Sequence, residues 1–196
     1  VRFVFYWIAY EAAFQNYKNE NREIPEIKDW EQREQLHERL AERDGAKLRT
    51  VLYAQRRDVI EILKLRQTHR PFWKKGGQGK YVRSPEEWER KFKNRVGLTI
   101  ESLNKGKTCI TLNNLFDNLA IVRQQIVHGG SAGLRSRGRT QVMLGAGLLK
   151  AFVPFFRDSI QSNIDEDWGK PPYPRVGSLE DEECPPPWLV LRENSG

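Results

Sequence analysis

Apolar residues recur along this chain mostly at helical spacing, and the pattern predicts an all-α bundle with at most incidental strands. Residues 2–17, "RFVFYWIAYEAAFQNY", are apolar nearly all round, as expected of a central helix. Their aromatic content would also suit a strand, but Ala9, Ala12 and Ala13 and the length of the segment favour helix. The chain opens directly inside this segment without a methionine, so a missing N-terminal piece is an expectation. Asp29 can cap a second helix, "WEQREQLHERLAER", charged on most faces, expected to be mostly exposed and to end at Gly45. A third helix, about 46–68, carries Leu48, Val51, Leu52, Val59, Ile62, Leu63 and Leu65, and "RPFWKKGGQGKYVRSP" after it has the content of a long loop. Ser84, Pro85, Glu86 and Glu87 form a strong start signal for a helix running to about Leu103. Next come a helix over about 109–128, a Gly/Arg loop, and a long helix in "RTQVMLGAGLLKAFVPFFRDSIQSNI", where Pro154 predicts a kink. From Asp165 onward "KPPYP", "CPPPW" and the acidic "LEDEE" predict an irregular tail lying over the domain, so the expected division is a helical domain, 1–164, and a tail, 165–196. No internal repeat is visible.

Length and composition agree with one folded unit: 196 residues, 38% hydrophobic and with abundant aromatics, can bury a sizeable core. Cys109 and Cys184 form no metal-ligand spacing, and such sparse usage fits a cytoplasmic, reducing environment better than a disulfide scaffold. The apolar stretches at 3–10 and 143–156 are too short or too interrupted to span a bilayer, so no membrane association is expected. The net charge of +7 is unevenly spread. Residues 45–107 hold 17 basic and 6 acidic residues, a surplus of +11, and residues 108–157 hold 6 and 1, a surplus of +5. Both ends are net acidic. A basic middle attracts polyanions, nucleic acid first; the alternative is a set of solvated helix faces.

Candidate chemistry lies in "LAIVRQQIVHGG", residues 119–130. At about 100° per residue, Leu112, Leu115, Phe116, Leu119, Val122 and Ile126 fall within about 60° of one line, and Arg123 lies about 40° from it, inside the apolar arc. A guanidinium there must pair, reach out of the core along its stem, or face a cleft or a partner chain. His128 stands at the helix end before Gly129 and Gly130, which permit chain reversal. On an unbroken helix positions 123 and 128 are about 140° apart, so spacing alone does not bring them together.

Three segments carry a resemblance to a known family: "RFVFYWIAYEAAF" at 2–14, "IVRQQIVHGG" at 121–130 and "DWGKPPYP" at 167–174. The chain resembles the HEPN superfamily, helical domains whose active members share an Arg-x4-6-His motif, and is most similar to the bacterial defence-associated and Apea-like members. The resemblance implies a HEPN-like bundle, a homodimer with the motif at its two-fold interface, and a metal-independent endoribonuclease that needs no cofactor and acts on RNA as a toxin or antiviral-defence effector. It implies catalytic roles for Arg123 and His128 and a supporting role for Gln124, and a possible antitoxin or defence-system partner protein. Glu11 stands where relatives often have Asn or another polar residue, and it could support the site by pairing with Arg123; the alternative is a buried structural ion pair. One branch of the family has a tyrosine two residues after the histidine; here that position is Gly130, a departure from that branch. The residue types suit the chemistry, since His moves protons near neutral pH and the planar Arg fork stabilises charge on phosphorus. The other reading is a non-catalytic module that binds nucleic acid or a protein partner.

Further candidates are weaker. Arg135, Arg137 and Arg139 follow the motif and suit a phosphate backbone, or form a solvated loop. "KKGGQGK" at 74–80 lacks the spacing of a P-loop and reads as a flexible loop. "GAG" at 145–147 follows no strand and reads as close helix packing. Phe72, Trp73, Tyr81 and Trp88 among basic residues would stack on bases or anchor a loop.

Overall fold

A computed structural model describes residues 2–14, 29–73, 85–128, 136–165 and 168, and among these the protein is all-α, with no strand. Its elements are α1 (Arg2–Phe14), α2 (Asp29–Ala54), α3 (Arg56–Lys64), a 3-10 turn (Arg66–Thr68), α4 (Arg70–Trp73), α5 (Pro85–Asn104), α6 (Thr108–Val127) and α7 (Ser136–Ser162). Helix α6 is central and packs against α1, α2, α3, α5 and α7. The reason is its apolar line: Leu112, Leu115, Phe116, Leu119 and Val122 are all buried.

Three sequence expectations are corrected. The second and third helices are joined differently: α2 continues through Gly45, with only Asp44 leaving helical geometry (φ −124°, ψ 30°). That bend is braced, because the Asp44 carboxylate pairs with Lys47 Nζ at 2.8 Å and accepts a hydrogen bond from Ser159 Oγ on α7 at 2.5 Å. The same two donors hold the Asp44 carboxyl below its usual range. The true break falls at Gln55, and α3 stops at Lys64, where Leu65 turns extended and Thr68 Oγ1 donates to the carbonyls of Leu65 at 2.7 Å and Ile62 at 3.1 Å. Nor is the charged half of α2 mostly exposed in effect, since Leu36, His37 and Leu40 share one face and are buried. Finally, α1 is not covered all round. Phe3, Trp7 and Tyr10 face α6 and α7, whereas Phe5 is 67% exposed.

The core is aromatic at its centre. Phe116 lies with ring centroids 4.3 Å from Tyr10, 5.2 Å from His37, 5.5 Å from Phe156 and 5.9 Å from Phe152. Gly145 lets α1, α6 and α7 meet: a Cβ there would sit 2.6 Å from Phe3 Cε2 and 3.1 Å from Leu119 Cδ2. This matches the close-packing reading of "GAG" for Gly145, while a Cβ added at Gly147 would meet no neighbouring element among the described residues within 4 Å. Gly106, at φ 68°, supplies the left-handed residue between α5 and α6. Helix α7 continues through Pro154. At the start of the predicted tail Trp168 packs on the core and donates Nε1–H to Asn163 O at 2.7 Å; the rest of the tail, with Cys184, lies outside the described residues. No helix among the described residues is long and apolar enough to cross a membrane.

A buried polar chain crosses this core. Asn113 Oδ1 can only accept, so His37 Nδ1–H donates to it at 2.5 Å, and Nε2 accepts from the Tyr10 hydroxyl at 2.9 Å. Burial holds the His37 pKa down at about 3, against an ordinary value of 6.5, and burial lowers His69 in the same direction. Between those pH values the unfolded chain takes up a proton on His37 that the folded chain refuses, so stability rises with pH across the window and is lost as pH falls. We expect the urea midpoint to drop between pH 6.5 and 4, with His37 contributing up to about 1.4 kcal/mol per pH unit. An unchanged midpoint would mean that His37 gains its proton without leaving the core.

Candidate functional site

The last turns of α6 carry the residues singled out in the sequence. Helical hydrogen bonding persists to the end, since His128 N–H still donates to Gln124 O at 2.9 Å, so position 128 keeps helical register. Arg123 and His128 therefore leave the helix about 140° apart. Residues 129–135, including Gly129, Gly130 and Arg135, lie outside the described residues.

Arg123 solves its position by reaching outward. Its stem follows the apolar arc, and its side chain is 38% exposed with one terminal nitrogen 4.0 Å from Glu11 Oε1 on α1. Glu11 is 24% exposed, so the pair is neither deeply buried nor tight, contrary to a buried structural ion pair. A pair of this length and exposure contributes little. Glu11→Gln is expected to change stability by less than about 1 kcal/mol, read as a shift of a few degrees or less in thermal unfolding. A larger loss would mean that the carboxylate is holding α1 onto α6.

His128 is exposed, and its imidazole makes no hydrogen bond to a described residue. No hydrogen bond joins its imidazole to Arg123 within one chain. Gln124, the predicted supporting residue, is exposed, and the neighbouring Gln125 is the buried amide. Gln125 Nε2–H donates to Gln67 O at 2.6 Å, and Gln141 on α7 donates to Gln125 Oε1, while Gln141 Oε1 is buried with no partner among the described residues. These amides tie the last turns of α6 to α7 and the 3-10 turn, three residues before His128. The sequence does not mark them, because Gln125 lies outside the apolar arc and is covered by elements distant in sequence, the 3-10 turn and α7.

The basic residues after the motif are partly described. Arg139 is exposed on the first turns of α7, and Arg137 lies in the same helix with its side chain outside the described part. Trp88 belongs to an aromatic anchor: it stacks on Phe92 at 5.3 Å, with Phe72 at 6.1 Å and the Arg66 guanidinium 5.7 Å above its ring. "KKGGQGK", Tyr81 and the Trp73 side chain lie outside the described residues. Cys109 is a free, half-buried thiol that burial pushes above its ordinary pKa. Among the described residues, no three His, Cys, Asp or Glu side chains are grouped to hold a metal ion.

A second polar constellation on α6 has no sequence signal, because its members come from three helices. Asp117 receives Arg33 from α2 at 3.1 Å and Arg95 from α5 at 2.9 Å, and Arg33 also donates to Phe116 O at 3.1 Å. Nearby, His69 Nε2–H donates to Leu63 O at 2.9 Å, which leaves that nitrogen no lone pair for the Asn118 amide 3.3 Å away.

Fold and site together define an all-α bundle with a central helix that ends in an accessible arginine and histidine. No family model, no curated protein and no solved structure matches the chain.

Proposed function

We propose that this protein is a metal-independent endoribonuclease of HEPN type, a toxin or antiviral-defence effector that works as a homodimer. The observation that carries the reading is the state of the motif pair: His128 is exposed at the end of α6 and hydrogen-bonded to no described residue through its imidazole, and Arg123 is accessible and only loosely paired with Glu11. A side chain kept for structure is normally packed or hydrogen-bonded; these are free to meet a substrate. Two copies of the chain related by a two-fold axis beside the end of α6 would bring Arg123 and His128 from both protomers into one cleft.

The reaction is attack by a ribose 2′-oxygen on its own 3′-phosphorus. The O2′–P bond forms as the P–O5′ bond of the next nucleotide breaks, giving a 2′,3′-cyclic phosphate and a 5′-hydroxyl. A neutral His128 imidazole accepts the 2′-OH proton, and the protonated imidazole of the second copy returns a proton to O5′. The Arg123 guanidinium stabilises the charge that builds on the phosphoryl oxygens. Flexible single-stranded or loop RNA suits in-line attack. Glu11 orients Arg123, and Gln124, exposed on the face between the two, contacts the strand; Arg135, Arg137 and Arg139 would contact its phosphates.

One observation favours a second reading. Arg123 and His128 diverge by about 140° within a chain, which suits a non-catalytic module that binds nucleic acid or a protein partner if no dimer forms. Incubation of the protein with mixed single-stranded RNA in EDTA separates the two. Fragments with cyclic-phosphate ends support the nuclease; RNA bound but intact, with a monomer in solution, supports the module.

A further inference from the structure

We propose that the cleft of about 280 Å³ between α2, α4, α5 and α6 binds the phosphodiester backbone of single-stranded RNA. This rests on the RNA reading above and adds a place that holds the strand away from His128.

The lining is cationic and partly preset. Arg33, Arg70 and Arg95 face two carboxylates, Asp117 and Glu34. Asp117 is already taken up by two guanidiniums, and Arg33, only 12% exposed, is further fixed by its bond to Phe116 O, so these cations are oriented before any ligand arrives. Arg95 is incompletely satisfied: its Nε is buried with no acceptor among the described residues, while the side chain as a whole is 37% exposed. With one terminal nitrogen on Asp117, an anion at the mouth would take up donors of that guanidinium that Asp117 leaves unpaired. Arg70 is exposed beside it. Trp30 lines the same cleft with its indole 47% exposed, a flat platform for a base. Guanidiniums beside an accessible indole match a nucleotide strand better than an acidic peptide, which has no use for the ring.

Position adds direction. On α6, Asp117, Ile121, Gln124 and His128 stand at i, i+4, i+7 and i+11, so the cleft and His128 open on one side of the helix. They are about 16 Å apart along its axis, a span of a few nucleotides.

The test is fluorescence anisotropy of a labelled single-stranded oligoribonucleotide on the full chain, with the His128→Ala background used to prevent cleavage. Arg70→Ala and Arg95→Ala should each weaken binding roughly tenfold at low salt, and each should make the log–log salt dependence shallower by about 0.7. Trp30→Ala should weaken binding by a similar factor with the salt slope unchanged. Arg70 is exposed, so its substitution should leave thermal unfolding intact and keeps the test interpretable. Parent-like affinity and slope in the arginine variants would overturn the assignment, as would absence of RNA binding by the parent or displacement of RNA by polyglutamate as readily as by unlabelled RNA. Cleavage by the His128 protein is scored separately. Cleavage with unaltered binding in the variants removes the cleft and leaves the nuclease; cleft-dependent binding without cyclic-phosphate products does the reverse.

Discussion

His128→Ala is expected to lower the rate of RNA cleavage in EDTA by about 10²–10⁴-fold, the range supplied by a positioned general acid–base group. The loss should fall on the chemical step. His128 is exposed at the end of α6 and engages no described residue, so its removal leaves no cavity and no orphaned donor in the core. Thermal unfolding and RNA affinity should therefore stay at the parent values while single-turnover cleavage falls. Residual activity above the uncatalysed rate is expected from Arg123, whose fixed charge acts on phosphorus whether or not a base is present. An unchanged cleavage rate would remove His128 from the mechanism, and an equal loss of RNA binding would make it a binding residue instead.

Phe116→Ala is expected to be the most damaging single truncation for stability, at about 3–5 kcal/mol. Four aromatic rings approach Phe116 within 6 Å: Tyr10, His37, Phe152 and Phe156, from α1, α2 and α7. They belong to helices fixed by other contacts and cannot all collapse into the space, so the cavity term adds to the lost transfer energy. The His37 chain would suffer too, because its bonds to Tyr10 and Asn113 depend on the rings around it. Thermal unfolding should fall by roughly 6–20 °C for a chain of this size. A drop of only a few degrees would show that the centre of the bundle repacks freely.

These expectations draw differently on sequence and tertiary structure. The all-α class, the course of α5, α6 and α7, and the buried line on α6 follow from local patterning, because helical period and start signals are written within single segments. The position of Arg123 in an apolar arc was equally legible. How that conflict is resolved was not: the loose, half-exposed pairing with Glu11 depends on where α1 crosses α6. The bend by which α2 continues past Gly45 is braced at Asp44 by Ser159, 115 residues further on, and the exposure of Phe5 depends on α1 finding partners on one face only. The Arg33–Asp117–Arg95 cluster and the buried Gln125–Gln141 pair join residues from separate helices, so nothing in any one segment marks them. By itself the sequence determined which stretches become helices and which residue types could do chemistry, because those follow from interactions within a few turns. Only the tertiary structure decided which polar groups are buried, paired or left facing solvent, because desolvation and hydrogen-bond partnership are set by chain segments that meet across the fold.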